Sequence, residues 1–150
     1  AGFMVGSPGQ TADTLASDLA FLQELQPEMV GIGPFLPHRD TPFGGREAGS
    51  VELTLYLLSL VRILLPDVLL PATTALGTAA ADGREAGVLA GANVVMPNLS
   101  PANVRGKYLL YDNKICTGNE AAENLTALRR SMEAIGYRVA VDRGDHRSRR

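Results

Sequence analysis

Four short stretches of this 150-residue chain combine glycine, proline, hydroxyl and thioether side chains in ways a plain connector does not require. Gly6-Ser7-Pro8-Gly9-Gln10 is a glycine turn ahead of a helical pattern, where backbone N–H groups can come close to a ligand. No Gly-Lys-Ser/Thr follows, so it is not a phosphate loop. A tight turn accounts for it equally well. Gly31-Ile32-Gly33-Pro34-Phe35-Leu36-Pro37-His38 sets two glycines beside two prolines, a loop able to press backbone and the Phe35 ring against a flat ligand such as adenine. Its Gly-x-Gly lacks the third glycine of a dinucleotide fingerprint. His38 with Arg39-Asp40 suits acid–base chemistry or a plain ion pair, and a lone loop histidine is more often structural. Thr73-Thr74 places two hydroxyls side by side, for an anion such as a carboxylate or for helix capping. Met96, before Pro97-Asn98, offers a soft wall to a pocket, as a core methionine also would. Tyr108 and Tyr111 can turn their hydroxyls into a pocket mouth or pack down as a lid. Cys116 is the one cysteine, too few for an iron–sulfur cluster or a structural zinc site.

Elements that run in a parallel α/β order position these residues. Four continuous apolar runs, residues 3–5, 29–32, 68–70 and 93–96, predict short strands buried on both faces of a parallel sheet. Leu15, Leu19, Leu22 and Leu25 mark a helix over about residues 11–26, stopped by Pro27. A second helix runs from an N-cap at Ser50 to Leu65 before Pro66; it is apolar nearly all round and so predicts cover on more than one side. A third spans about residues 83–92, with small residues for close packing on the sheet. Residues 97–117 read as irregular. A last helix covers about residues 119–135, with Leu125, Leu128, Met132 and Ile135 on one face and Gly136 as its C-cap. Residues 137–141 suit a short final strand or an extended tail. In parallel α/β folds the working residues sit at the C-terminal ends of strands, and all four loops above fall there. Strand order alone fits an open sheet or part of a closed barrel.

Composition narrows the partners. A net charge of −2 argues against nucleic acid and acidic membranes, and the basic residues 143–150 read as a solvated terminus. The most apolar segment, residues 51–65, contains Glu52 and Arg62 and falls short of the roughly 17–25 apolar residues a membrane span needs. Ala1 leads straight into an apolar run with no charged n-region, which reads as a start inside a structured element, not a signal peptide. A lone cysteine fits a cytoplasmic setting.

The motifs in order resemble one family. Gly2-Phe3-Met4-Val5-Gly6-Ser7-Pro8-Gly9-Gln10-Thr11, Gly31-Ile32-Gly33-Pro34-Phe35 with Pro37-His38 and Asp40-Thr41-Pro42-Phe43 are similar to the HydE-type radical S-adenosylmethionine (SAM) maturases of [FeFe]-hydrogenase. So are Leu70-Pro71-Ala72-Thr73-Thr74-Ala75-Leu76-Gly77, Ala90-Gly91-Ala92-Asn93-Val94-Val95-Met96-Pro97-Asn98, Lys107-Tyr108 and Tyr111-Asp112-Asn113-Lys114. Biotin synthase resembles the chain more distantly, and methylornithine synthase-like enzymes resemble it more closely.

The resemblance implies the C-terminal half of a (βα)8 barrel. Residues 1–98 would supply the last four strands, residues 99–142 a closing segment, and residues 143–150 a basic tail. It implies SAM and a [4Fe-4S] cluster as cofactors, the cluster ligands lying in an N-terminal half outside this sequence. Cleavage of SAM to a 5′-deoxyadenosyl radical would then act on a small sulfur-containing iron complex or an amino-acid-derived substrate. An electron donor and other hydrogenase maturases would be partners. Carried over by position, Met29, Thr73, Thr74, Met96, Tyr108 and Tyr111 would line the substrate cavity. Met4, Gly6, Gln10, Gly33, Pro34 and Phe35 would flank SAM. Some relatives carry a second cluster on three cysteines; Cys116 matches the first position, but Asn124 and Ala127 stand at the others, so no second cluster is expected. The chain by itself is expected to be catalytically inactive and to aggregate or pair with another half. A half-barrel that binds without catalysing is the alternative of a different class.

Overall fold

Thr11 opens the first helix as the sequence predicts. In the computed structural model, which describes residues 1–97, 101–105, 107, 110–113 and 121–149, its hydroxyl accepts from the Thr14 N–H while Thr14 Oγ1 accepts from the Thr11 N–H, a reciprocal capping box. The helix α1 spans Ala12–Leu25 and ends with Gln26 in the left-handed region, just before Pro27. Ser50 caps α2 (Val51–Leu64) through the Leu53 N–H, and Pro66 follows its end. Gly136, at φ +83°, closes α6 (Ala121–Ala134).

The last two strands are shorter than their apolar runs. β1 (Gly2–Val5) pairs in parallel with β2 (Gly31–Pro34), Phe3 opposite Ile32 and Met4 opposite Gly33. β3 (Pro71–Ala72) pairs in parallel with β4 (Val94–Val95). A parallel bridge between Met29 and Leu69 links the chain entering β2 to the chain entering β3. The run 68–70 was expected to be the third strand; the ladder instead begins at Pro71. Beside the run, Asn93 Oδ1 accepts from the Leu70 N–H at 2.8 Å and Asn93 Nδ2 donates to the Val68 carbonyl at 3.3 Å, while Leu69 keeps its backbone pairing with the chain entering β2.

Two further helices, α3 (Thr74–Ala79) and α4 (Gly83–Leu89), stand between β3 and β4. The first of these occupies what the sequence reads as a loop. A one-turn helix, α5 (Ala102–Arg105), lies in the stretch expected to be irregular. Residues 137–141 carry no strand, so the tail reading holds there. Beyond it, a short 3-10 turn (Arg147–Arg149) is tied back by Arg147 to Asp67 at 2.9 Å, so the basic terminus is not simply solvated.

Val5, Val30, Ile32 and Leu70 from the strand lines pack with Leu22 of α1, with Leu57, Leu58 and Val61 of α2, and with Leu76 of α3. A second cluster joins Ala72, Val88 and Ala92 to Leu128 and Met132 of α6. Helix cover of the strands is thus one-sided, and one expectation needs correction. The strands are not buried on both faces: Met4, Met29 and Met96 are 58%, 42% and 46% exposed. Helix α2 meets both β2 and α4, cover on more than one side as expected, while Ile63 and Tyr56 face solvent. A continuous apolar run does not say how many sides a neighbour will cover.

Candidate functional site

Side chains along a strand alternate faces, and that alternation sorts the predicted residues. Val5, Val30, Ile32, Leu70 and Ala72 point into the helix-covered cores. Met4, Met29, Gly33, Thr73 and Met96 fall on the opposite parity and share the bare face. Gly33 and Thr73 meet there directly: a Cβ added to Gly33 would lie 2.6 Å from Thr73 Oγ1. β2 and β3 can approach this closely because residue 33 has no side chain.

Thr73 has a structural task already. Its Oγ1 caps α3 by accepting from the Leu76 N–H at 3.3 Å. Thr74 Oγ1, by contrast, makes no hydrogen bond among the described residues, and it lies at the strand-end rim beside the bare face. Gly33→Ala should push Thr73 off its cap and destabilise the protein by about 1 kcal/mol, the scale of a lost N-cap. Thr73→Ala should cost about the same, and urea unfolding of the double variant should show little further loss, because both changes remove one contact. Additive losses would show that the two residues act separately.

The turn after β1 is braced from within. Gly6, at φ +80°, donates its N–H to Gln10 Oε1 at 2.6 Å, and Gln10 Nε2 donates to the Met4 carbonyl at 3.0 Å. Both ends of the Gln10 amide are therefore engaged in holding the turn. After β2, the ladder extends one step, with the Phe35 N–H donating to Val5 O at 2.7 Å and the Gly49 N–H to Phe35 O at 2.8 Å. Pro34 is buried in β2. Phe35 is only 7% exposed and meets Phe43 edge-on at 6.3 Å, so its ring packs inward and is not an open stacking platform. His38 Nδ1 lies 3.1 Å from the Asp40 backbone nitrogen, within hydrogen-bond distance. Asp40 Oδ2 stands 3.9 Å from His38 Nδ1, a loose contact that folds the loop.

Tyr111 is half-buried. Burial raises its hydroxyl above the ordinary tyrosine range; a hydrogen bond with Thr78 and the nearby Arg84 charge pull the other way. It is therefore a neutral phenol at ordinary pH. Tyr108, Asn98 and Cys116 lie outside the described residues. Sequence reasoning missed Arg84, Thr78 and Asp112 as neighbours of the site. Arg84 stands in a Gly-Arg-Glu-Ala-Gly that occurs twice, which reads as coincidence, and nothing local marks it. No group of three or more His, Cys, Asp or Glu that could hold a metal ion occurs among the described residues. Two hollows in the surface lie away from these residues, one on α6 around Thr126 and Arg130, the other between α4 and α6 around Leu89 and Ile135.

Fold and site together define a parallel α/β protein with a methionine- and threonine-bearing face left uncovered at its strand ends. No family model matches the chain. Over 144 residues, 96% of its length, it is 47% identical to the [FeFe] hydrogenase maturase subunit HydE of Thermotoga maritima. It is 28% identical over 139 residues, 93% of its length, to the 3-methylornithine synthase of Methanosarcina barkeri. The chain spans about two fifths of each relative, 41% of the first and 38% of the second. No helix among the described residues is long and apolar enough to cross a membrane.

Proposed function

We propose that this chain forms four adjacent strands of a radical SAM barrel, with its bare face turned toward the substrate cavity of a [FeFe]-hydrogenase maturase. The observation that carries the reading is that face. Met4, Met29 and Met96 remain exposed where a soluble protein would cover them, and the chain is 47% identical to HydE while spanning 41% of it. A closing set of strands outside this sequence would cover the methionines and turn the open face into a cavity.

The described residues do not fit a [4Fe-4S] cluster, because they contain no cluster of metal-ligating side chains. Its ligands are assigned to the rest of the protein, and no step here passes through it. The face does fit an organic cosubstrate: it exposes the thioethers of Met4, Met29 and Met96, which adapt to an irregular apolar ligand. When SAM is bound, its cleavage would supply a 5′-deoxyadenosyl radical. Met4, Gly33 and the Gly6–Gln10 turn would flank the nucleoside. Thr74, whose hydroxyl has no partner among the described residues, would hold an anionic group of the substrate, while Met29 and Met96 would exclude water. Tyr108 and the neutral Tyr111 would close the mouth. The substrate would be a small sulfur-containing iron complex, and an electron donor and other hydrogenase maturases would be the partners. The likeness to 3-methylornithine synthase supports a second reading, an amino-acid-derived substrate on the same face.

Anaerobic reconstitution of the full-length protein carrying this chain, followed by dithionite and SAM, tests the proposal. We expect 5′-deoxyadenosine from the full-length protein and none from the 150 residues alone. A reconstituted full-length protein that forms no 5′-deoxyadenosine would overturn it, as would formation of that product by the isolated chain.

A further inference from the structure

Three contacts join two loops that lie 73 residues apart in sequence. The Arg39 backbone N–H donates to Asp112 Oδ2 at 3.2 Å, and Arg39 Nε lies 3.5 Å from Asp112 Oδ1. The Asp112 N–H donates in turn to the Pro37 carbonyl at 3.3 Å. Asp112 therefore grips the loop after β2 with side chain and main chain at once. The next residue back is anchored on the other side: Tyr111 is hydrogen-bonded to Thr78 of α3 and stands in the field of Arg84 of α4. Arg84 Nε and Nη2 are buried, with no hydrogen-bond partner among the described residues. Residues 111 and 112 thus run from the loop after β2 to the helices after β3, the elements that follow the strand ends where Gly33 and Thr73 meet.

We infer that Asp112 is a positioning residue, the pin of a clasp that holds Tyr111 across the mouth of the strand-end site, so that ligand passage requires Asp112 to release the loop after β2. The inference rests on the reading of that face as a SAM and substrate site. The two ends of the clasp differ in kind. Tyr111 is anchored among partly buried groups, where its contacts are shielded from water. Arg39 is exposed, so its ion pair with Asp112 is weak and screened by salt. Release therefore occurs at the Asp112 end. The loop it frees has turns of its own, with Thr41 N–H on His38 O and Gly44 N–H on Thr41 O, both at 3.0 Å, so it can swing as a unit.

Amide hydrogen exchange and SAM-binding kinetics on the full-length protein test this. In Asp112→Ala the Arg39 amide should exchange about tenfold faster, the scale of one lost hydrogen bond to a charged group. The Gly44 amide should be unchanged. Asp112→Asn retains an acceptor oxygen and should fall between wild type and Asp112→Ala. Raising salt from 0.1 to about 1 M should move wild type toward the Asn variant, since screening acts on the ion pair and not on the amide contact. SAM should associate and dissociate several-fold faster in Asp112→Ala with a smaller change in Kd, a pattern that a general loss of stability would not give. Unchanged Arg39 exchange in both variants would overturn the clasp, and so would altered exchange with unaltered SAM rates. If wild type binds no SAM, the reading of the site fails on its own, and the exchange results still decide whether Asp112 pins the loop.

Discussion

Gly49→Ala is expected to destabilise the protein by about 3 kcal/mol or more, the upper range for a side chain forced into filled space. A Cβ at this buried position would overlap the Val5 carbonyl oxygen and come within 2.8 Å of the Phe35 nitrogen. Both neighbours are backbone atoms, and they bond to each other at 2.7 Å. Neither can rotate aside, so relief would require β1 and the end of β2 to separate. Gly6 tightens the same junction, because a Cβ there would lie 2.5 Å from the Gly49 Cα. The junction sits at the strand ends, so the variant should weaken ligand binding together with stability. Gly45→Ala is the control: nothing lies within 4 Å of its Cβ, and its stability should stay within about 0.5 kcal/mol of wild type. Urea unfolding of both variants measures the difference. Equal midpoints would show that the strand ends yield more easily than their hydrogen bonds imply.

Arg62→Met should cost about 2 kcal/mol. The guanidinium stitches three segments together: Nε donates to the Gly91 carbonyl at 2.8 Å, and Nη1 to Pro66 at 2.8 Å and Val68 at 3.0 Å. It thereby fixes the end of α2 to the chain entering β3 and to the turn between α4 and β4. Methionine keeps an apolar stem of similar length and loses every donor. Hydrogen bonds to charged groups are worth about 1.5–3 kcal/mol each, but Nη2 is buried without a partner, and removing that penalty returns about 1 kcal/mol or more. Burial lowers the Arg62 pKa, with Asp67 opposing the shift, so part of the gain is already spent on desolvation. The net loss is therefore smaller than the sum of the contacts. Arg62→Lys should recover less than half of it, because a single ammonium cannot reach along two directions as the planar fork does. Thermal unfolding of the two variants distinguishes a clamp from an apolar packing role, which would leave the methionine variant as stable as wild type.

How much of this was legible in the sequence depends on how far apart the interacting residues are. Thr11, Ser50 and Gly136 were readable as helix ends because a cap is satisfied within four residues of itself. The second and fourth apolar runs gave strands within a few residues of their predicted places. The third pairs through Leu69, and its ladder with β4 starts just beyond the run at Pro71, next to the contact that Asn93, far along the chain, makes with Leu70. Leu25 and Ile63 fit the helical spacing of apolar residues yet remain exposed, since spacing states which residues share a face and not whether anything covers it. Thr73 was open between capping and anion binding; the structure gives it the cap.

The sequence by itself determined the parallel α/β order, the places of α1, α2 and α6 and, through motifs in a fixed order, the likeness to HydE that the 47% identity bears out. Local backbone preference and short-range capping need no knowledge of the rest of the chain. Tertiary structure alone decided which side of the strands stays bare, that Gly33 brings Thr73 against β2, and that Asp112 and Tyr111 tie the loop after β2 to the helices after β3. Those facts depend on strand register and on contacts between residues tens of positions apart, where one amino acid gives no sign of its partner until the backbone has set the distance.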